Sequence, residues 1–175
     1  MQRSRLSGRS EVRTFVGLGG NVGEPRATMA AALRLLDGDA DIRVARVSSL
    51  YATPPWGITD QPDFLNAAAL LETSLEPCEL LQRCLETELR LHRVRDKRWG
   101  PRSVDLDVLT FGDLEIDEPG LELPHPRMMD RAFVLVPLLE LAPDMVVRGV
   151  RLGSRLNEIG REGITLAAGP EWWQG

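Results

Sequence analysis

Apolar residues recur along the chain at two spacings, every second position and every third or fourth position, which predicts alternating strands and helices. Strand-like segments cover residues 14–18, 42–52 (with an irregular middle), 64–73 and 104–111, and residues 114–123 form a hairpin arm after a Gly-Asp turn. Helix-like segments cover residues 25–36, 77–93 and 131–141, with a short one at 154–160. Gly19, Gly20 and Asn21 are predicted to end the first strand.

The resulting order is β-α-β-β-α-β, then a hairpin, a helix and a Gly-rich tail, and it matches the split βαβ motif of ferredoxin-like folds. It predicts an α+β fold with a mainly antiparallel sheet and helices on one face, plus the C-terminal hairpin and helix. On the second helix, the residues expected to face inward are Leu80, Leu81, Cys84, Leu85 and Leu89.

Length and composition predict an ordinary globular chain. Its 175 residues suit a single domain over residues 14–175, and the polar, basic segment 1–13 lacks the apolar core of a signal peptide and is predicted to be a flexible leader. The net charge of −5 disfavours a general nucleic-acid or membrane-surface binder. Cys78 and Cys84 lie six apart on one helix and therefore on nearly opposite faces. Unpaired thiols suit a reducing cytosol, so a cytoplasmic location is expected.

Asp105 and Asp107 are the most informative pair of side chains. Residues two apart on a strand point to the same face, so Val104, Leu106 and Val108 would cover the core while the two carboxylates stand together on the other face. Adjacent carboxylates repel each other unless a cation or a proton compensates. Mg²⁺ prefers one or two carboxylates together with substrate phosphates. The alternative is the solvated polar face of an edge strand.

The segment before this pair is strongly basic. Residues 90–102 contain six basic residues and one acidic residue, a local charge of +5, which leaves −10 for the rest of the chain. A basic loop that leads directly into a carboxylate pair matches a polyphosphate clamp, in which Mg²⁺ and arginines neutralise a transferred group. The alternatives for this loop are an RNA-contact patch or charges that serve only solubility.

Three further segments could line a pocket. Residues 17–21, Gly-Leu-Gly-Gly-Asn, resemble a phosphate loop but match neither common nucleotide motif, and a tight turn is the simpler interpretation. Phe64 and Asn66 share one strand face, where an aromatic ring and an amide could hold a flat heterocycle or serve only the core. His125 lies between two prolines and before Arg127 and Arg131, so it could extend the phosphate clamp.

Six ordered motifs resemble one enzyme family. They are Gly-Gly-Asn after the first strand, Tyr51-x-Thr53-Pro54-Pro55-x-Gly57, Asp60-Gln61-Pro62-x-Phe64-x-Asn66, Arg98-Trp99-Gly100-Pro101-Arg102-x-x-Asp105-x-Asp107, Pro124-His125-Pro126 and Arg131-x-Phe133. Together they resemble the 6-hydroxymethyl-7,8-dihydropterin pyrophosphokinases of folate biosynthesis, over roughly residues 14–147. The resemblance implies diphosphate transfer from MgATP to the hydroxymethyl group of the pterin, with release of AMP.

The resemblance also implies roles for individual residues. Asp105 and Asp107 would bind two Mg²⁺ ions, and the catalytic set would be Arg98, Arg102, Asp105 and Asp107. The residues implied to contact ATP are Glu88, Arg95, Arg98, Trp99, Arg102, Val108, His125 and Arg131. Those implied to bind the pterin are Thr53, Pro54, Trp56, Phe64, Asn66 and Phe133. A monomer that binds these small molecules, and neither nucleic acid nor membrane, is expected.

Two other classes of protein fit the sequence less well. Nucleotidyltransferases use Gly-Gly and Asp-x-Asp elements that lie close in sequence, whereas here 84 positions separate Asn21 from Asp105. A ferredoxin-like RNA-binding module would carry an aromatic-rich RNP1 strand, and no such strand occurs in the sequence.

Overall fold

The structure of the protein is a computed structural model, and it describes residues 9–55, 60–92 and 103–175. The elements in chain order are β1 (Val12–Gly20), α1 (Pro25–Asp37), β2 (Ile42–Val47), β3 (Leu50–Thr53), β4 (Phe64–Thr73), α2 (Pro77–His92), β5 (Asp105–Phe111), β6 (Ile116–Glu118), β7 (Leu121–Leu123), a 3₁₀ helix (Met128–Asp130), α3 (Ala132–Leu141), β8 (Val146–Val147), β9 (Val150–Arg151), α4 (Leu152–Ile159) and β10 (Thr165–Ala168).

Six of the described strands form one antiparallel sheet. Its order is β10-β3-β4-β1-β5, and β2 pairs with β4 beside β3. If β2 and β3 are counted as one interrupted strand, the order of the four core strands is that of a ferredoxin-like βαββαβ unit. The predicted α+β class and the mainly antiparallel sheet are therefore confirmed.

Two apolar clusters lie on opposite faces of this sheet. Alternate residues of β1, β4 and β5, such as Leu18, Ala69 and Leu106, pack against α1 and α2. The intervening residues, such as Leu70 and Leu109, pack against α3 and α4. The two helices of the predicted core thus share one face, as expected, while the C-terminal helices cover part of the other. The uncovered part of that second face holds the candidate site.

β1 continues through the two glycines that were predicted to end it. Gly19 pairs with Asn66 and Gly20 with Leu65, so both are strand residues. A Cβ atom on Gly20 would lie 2.6 Å from the carbonyl oxygen of Ser103. Glycine is therefore required here because the chain entering β5 approaches the β1 backbone closely, and not because the strand turns.

The predicted long strand over residues 42–52 is divided into β2 and β3 at Ser48 and Ser49. The Ser48 amide donates to the carbonyl oxygen of Ala68, and the Ser48 hydroxyl accepts from the Ala68 amide at 2.9 Å. The indole Nε1 of Trp172 donates to the Ser48 carbonyl oxygen at 2.9 Å. The irregularity predicted in the middle of this segment is therefore a hydrogen-bonded interruption at a fixed place.

The inward face of α2 differs from the prediction. Leu80 and Cys84 are buried as expected and Leu81 is partly buried against the core, but Leu85 and Leu89 are 44% and 59% exposed. The buried positions of α2 are Pro77, Leu80, Cys84 and Thr87, which are three, four and three residues apart. The leucines of α2 spread over about half of the helix circumference, a wider sector than the buried one, so apolarity alone could not identify the buried face.

The C-terminal segment adds structure that the sequence pattern did not predict. β10 pairs with β3 at the edge of the sheet, and Trp172 is buried in the cluster beneath α1 and α2. The hairpin β6–β7 and helix α3 lie where the pattern placed them, and α4 begins two residues before the predicted short helix. Within the described residues, no helix is both long enough and apolar enough to cross a membrane.

Candidate active site

Asp105 and Asp107 stand beside two glycines at the open end of the sheet. In the register of β1 and β5, Asp105 lies opposite Gly19 and Asp107 opposite Gly17. Both aspartates are half-buried, while Leu106 between them is 4% exposed on the helix-covered face. The predicted same-face arrangement of the carboxylates is therefore present. A Cβ atom on Gly17 would lie 3.6 Å from the Leu109 side chain, so glycine at this position leaves room for the packing of a neighbouring side chain.

Glu88 connects α2 to the strand segment that carries these aspartates. Its Oε1 atom accepts a hydrogen bond of 2.7 Å from the backbone N–H of Leu106. Cys84, one turn earlier on α2, is fully buried, and burial, reinforced by the charges of Glu88 and Asp107, raises the pKa of its thiol to about 12. Cys84 is therefore a neutral, apolar support beneath the acidic cluster.

The donor set around Asp105 and Asp107 fits Mg²⁺. Among the residues that the structure describes, no group of three or more His, Cys, Asp or Glu side chains could hold a metal ion. A pair of carboxylates without a third protein ligand is what Mg²⁺ uses when water and substrate phosphates complete its octahedron. Zinc sites, by contrast, use three or four protein ligands.

His125 is held close to Asp107 by main-chain contacts. Its backbone N–H donates to the carbonyl oxygen of Leu109 at 2.8 Å, and its Nδ1 accepts from the backbone N–H of Arg127 at 3.1 Å. Burial lowers the pKa of His125 below its ordinary value of 6.5, and the charge of Asp107 opposes this shift. In the neutral imidazole the proton is therefore on Nε2, which is available as a donor.

Arg131 and Phe133 lie at the start of α3. The carbonyl oxygen of Arg131 accepts from the backbone amides of Val134 and Leu135 at 3.0 Å, which anchors the first turn of the helix. The Arg131 guanidinium lies over the Phe133 ring, 5.7 Å from its centroid. A cation held at this distance from an aromatic face is attracted to it, so the ring helps to fix the direction of the arginine.

Phe64, Asn66 and Thr53 form a polar and aromatic corner on β3 and β4. Thr53 lies opposite Phe64, and the Nδ2 atom of Asn66 donates to the Thr53 Oγ1 at 2.9 Å. Asn66 and Thr53 are 7% and 8% exposed, whereas Phe64 is 37% exposed. A Cβ atom on Gly19 would lie 3.1 Å from the Asn66 Oδ1, so glycine again leaves room for a site side chain.

The structure places part of the predicted site on one sheet face. β3, β4, β1 and β5 are adjacent, and a single transverse row joins Tyr51, Asn66, Gly19 and Asp105 across them. Val108 is buried on the opposite face, among the residues packed against α1 and α2. The predicted site residues Trp56, Arg95, Arg98, Trp99 and Arg102 lie outside the described residues.

One connection between α3 and β3 was not predicted from the sequence. Glu140, the only charged residue of α3, accepts from the backbone N–H and the hydroxyl of Ser49 through Oε1, both at 3.0 Å. Its Oε2 accepts from the Tyr51 hydroxyl at 2.6 Å. The sequence feature that could have indicated this connection is the single carboxylate in an otherwise apolar helix. A carboxylate next to a packed sheet needs hydrogen-bond donors.

The ionisation of Tyr51 provides a direct test of this connection. Burial, the hydrogen bond to Glu140 and the Glu140 charge raise the pKa of Tyr51 to about 12, with Arg161 acting in the opposite direction. Tyr51 is the only tyrosine in the chain, so tyrosinate absorbance near 295 nm reports this residue alone. We expect a titration midpoint near 12 in the folded protein and near 10 in denaturant.

The same shift sets a direction for stability at alkaline pH. Between pH 10 and 12 the unfolded chain loses the Tyr51 proton while the folded chain keeps it, so the free energy of unfolding should fall as pH rises through this window. Tyr51→Phe should remove this part of the decline. A folded-state midpoint near 10 would contradict the Tyr51–Glu140 contact.

The geometry defines the general class of this protein. An antiparallel α+β sheet with two half-buried carboxylates, an adjacent neutral histidine and an aromatic and amide corner is typical of an enzyme that transfers a phosphate group between a nucleotide and a small planar substrate. Among the site residues that the structure describes, none is a nucleophile paired with a base, which is consistent with attack by a hydroxyl of the substrate.

Comparison with known proteins gives the particular family. Residues 15–143 match the family model for 7,8-dihydro-6-hydroxymethylpterin-pyrophosphokinase. The 2-amino-4-hydroxy-6-hydroxymethyldihydropteridine pyrophosphokinase of Methylorubrum extorquens is 46% identical over 152 residues, which cover 87% of this chain and 96% of that protein. The protein of the same name from Pseudomonas aeruginosa is 48% identical over 133 residues, covering 76% and 82% of the two chains. This chain belongs to the hydroxymethyldihydropterin pyrophosphokinase family.

Solved structures support the fold. A variant of HPPK-DHPS from Plasmodium falciparum superimposes with a TM-score of 0.74 at 13% sequence identity, over 92% of this chain and 50% of that one. The chain therefore spans about half the length of that protein, and the likeness concerns the fold alone. The family membership identifies the chain as an ATP-dependent pyrophosphokinase that acts on hydroxymethyldihydropterin in folate biosynthesis.

Proposed function

We propose that Asp105 and Asp107 would hold two Mg²⁺ ions when MgATP binds. The observation that carries this proposal is the pairing of two half-buried carboxylates on one face of β5, each opposite a glycine of β1. When bound, the ions would neutralise the phosphate charge that otherwise repels an attacking oxygen. Glu88, through the Leu106 amide, holds the strand between the two carboxylates in place.

The remaining ATP contacts are proposed for side chains around this pair. His125 would donate from Nε2 to a phosphate oxygen, since its Nδ1 already accepts from the Arg127 amide. Arg131 would contribute positive charge near the same phosphate. Four further ATP contacts are proposed from the family resemblance alone: Arg95, Arg98, Trp99 and Arg102. Glu88 would lie near the adenosine, while Val108, whose side chain is buried, could contribute main-chain atoms only.

The pterin would bind at the corner of β3, β4 and α3. Phe64 and Phe133 would hold the heterocycle between them, and Asn66 with the Thr53–Pro54 backbone would bind its polar edge, with Trp56 nearby. The half-exposed Phe64 ring next to the buried Asn66 amide supports this arrangement, because a flat polar heterocycle needs both a stacking surface and paired donors and acceptors.

The chemistry then depends on position and charge. The hydroxymethyl oxygen of the pterin attacks the β-phosphorus of ATP, an oxygen–phosphorus bond forms, and the bond from that phosphorus to the AMP oxygen breaks. The protein orients the two substrates in line and stabilises the charge that develops on the transferred group. Asp105 and Asp107 lie on the same sheet face as Phe64 and Asn66, which would allow both substrates to meet there.

Several wider features belong to the same proposal. We expect a monomeric, cytoplasmic enzyme that binds neither nucleic acid nor membrane. The net charge of −5 supports the last expectation. The domain begins before the predicted boundary at residue 14, because β1 starts at Val12, which pairs with Thr73. The leader predicted at 1–13 can therefore include residues 1–11 at most. Sedimentation velocity tests the monomer, and limited proteolysis tests the leader.

The deciding experiment is an assay of AMP release with 6-hydroxymethyl-7,8-dihydropterin and ATP across a range of Mg²⁺ concentrations. We expect AMP formation that requires the pterin and disappears when EDTA removes the metal. Calorimetry with a non-hydrolysable ATP analogue, with and without Mg²⁺, and with single-stranded RNA would identify the alternative RNA-binding class. Tight RNA binding without metal-dependent nucleotide binding would overturn the proposal.

A further inference from the structure

Helix α3 joins the proposed pterin corner to a second, distant point of the sheet. Phe133 and Glu140 are seven residues apart, which is two helical turns, so they share one face of α3 and lie about 10 Å apart along its axis. On β3, Ser49 and Thr53 are four residues apart, or about 13 Å along the strand. α3 packs on β4 and β3, and Glu140 places the C-terminal end of the helix at Ser49 and Tyr51.

The two ends of α3 differ in how they are held. At the Glu140 end, three hydrogen bonds join the helix to Ser49 and Tyr51. At the other end, Phe133 makes an aromatic contact with Arg131. The middle of the helix is apolar and contains Pro137, which lacks the N–H that would bond to the Phe133 carbonyl oxygen. Apolar packing is not directional, so the position of α3 along the sheet is specified by hydrogen bonds at the Glu140 end: those of Glu140 and one from the Arg46 Nη1 to the Leu141 carbonyl oxygen at 3.1 Å.

We propose that Glu140 is a positioning residue for pterin recognition, because it fixes α3 along β3 and thereby sets the place of Phe133 relative to Phe64. The inference rests on the proposed pterin role of those two rings. Tyr51 strengthens the link, since it pairs across the sheet with Asn66, the amide of the same corner. A substitution at Glu140 can therefore affect the pterin corner in two ways, through the position of Phe133 on α3 and through Tyr51, which pairs with Asn66.

The test compares substrate affinities in the full-length protein. Glu140→Ala should raise the Kd for 6-hydroxymethyl-7,8-dihydropterin about tenfold or more, because a coupled contact network is lost. The Kd for a MgATP analogue should stay within about twofold, since the Asp105–Asp107 pair is on another strand. Glu140→Gln should restore most of the pterin affinity, because its amide oxygen still accepts from Ser49 and its NH₂ group can donate to the Tyr51 oxygen.

A matched control separates positioning from a general loss of stability. Leu36 is 2% exposed in α1, on the opposite face of the sheet, and Leu36→Val should lower the Tm without changing the pterin Kd at a temperature well below unfolding. If Glu140→Ala changes the pterin Kd no more than Leu36→Val does, the positioning role is wrong. An equal loss of pterin and nucleotide affinity would also overturn it.

Further variants keep the test decisive. A double-mutant cycle with Phe133→Ala should show that the two losses do not add, since both act through the same ring. If Glu140→Ala does not fold, the double variant Ser49→Ala/Tyr51→Phe removes the two side-chain donors and leaves the Ser49 backbone N–H, so it should give a smaller loss that is still selective for the pterin. Unchanged pterin binding in both Phe64→Ala and Phe133→Ala would overturn the pterin assignment itself, and that outcome is distinct from a failure at Glu140 alone.

Discussion

Asp107→Ala is expected to lower kcat by about a thousandfold or more while the fold is retained, because removal of one preorganised electrostatic group from a charge-neutralising site has effects of this size. Asp107 lies half-buried opposite Gly17 and makes no contribution to the apolar clusters. Its removal also relieves repulsion with Asp105 in the metal-free protein, so the Tm without Mg²⁺ should hold or rise.

AMP release and thermal unfolding, each with and without Mg²⁺ and an ATP analogue, measure this prediction. Asp113→Ala is the matched control, since it removes the same charge from an exposed turn just after β5. Wild-type and control proteins should gain Tm when MgATP analogue is added, whereas Asp107→Ala should gain much less. AMP production near the wild-type rate in Asp107→Ala would show that this carboxylate does not hold the metal.

The second large effect is expected for Asn66→Leu, which should raise the pterin Kd about a hundredfold, because a polar heterocycle edge would be buried without its partner. Asn66 is 7% exposed, so water cannot readily replace the lost amide. Nucleotide affinity should change little, since the amide lies on β4 and the acidic pair on β5.

Thr53→Val separates the two effects of Asn66→Leu, which are the loss of the hydrogen bond to Thr53 and the loss of the amide that would contact the pterin. The variant loses the Thr53 hydroxyl, which accepts from the Asn66 Nδ2, but keeps the amide and the Thr53–Pro54 backbone. We expect a much smaller loss of pterin affinity than in Asn66→Leu, measured by calorimetry on both variants. Equal losses would mean that the hydrogen bond within the protein, and not direct recognition by Asn66, determines affinity.

The strongly periodic parts of this chain were predictable from the sequence. The period-two pattern over residues 104–111 placed Leu106 in the core and both aspartates on the opposite face, as the structure has them. The element order predicted the antiparallel sheet because connections of this kind allow few topologies. Local periodicity therefore carried enough information to predict both the core sheet and the acidic pair.

Other features depend on contacts between distant segments, and the local pattern could not show them. Leu85 and Leu89 looked like core residues, but α2 had leucines on several faces and tertiary packing selected Leu80, Cys84 and Thr87. Gly20 was predicted to end a strand, but glycine is required there because the Ser103 backbone lies close to β1. Glu140 could not be placed because its partners, Ser49 and Tyr51, are about 90 positions away.

The pairing of β1 with β4 and β5 has a consequence for how the chain folds. Gly19 meets Asn66 on one side and Asp105 on the other, so β1 occupies the middle of the sheet although it is the first strand of the chain. The segments between β1 and its partners β4 and β5 are long, and bringing their ends together costs chain entropy before the strand contacts form. Folds that are rich in such distant pairings therefore fold more slowly. The row that joins Asn66, Gly19 and Asp105 is therefore complete only when β5, from the second half of the chain, pairs with β1.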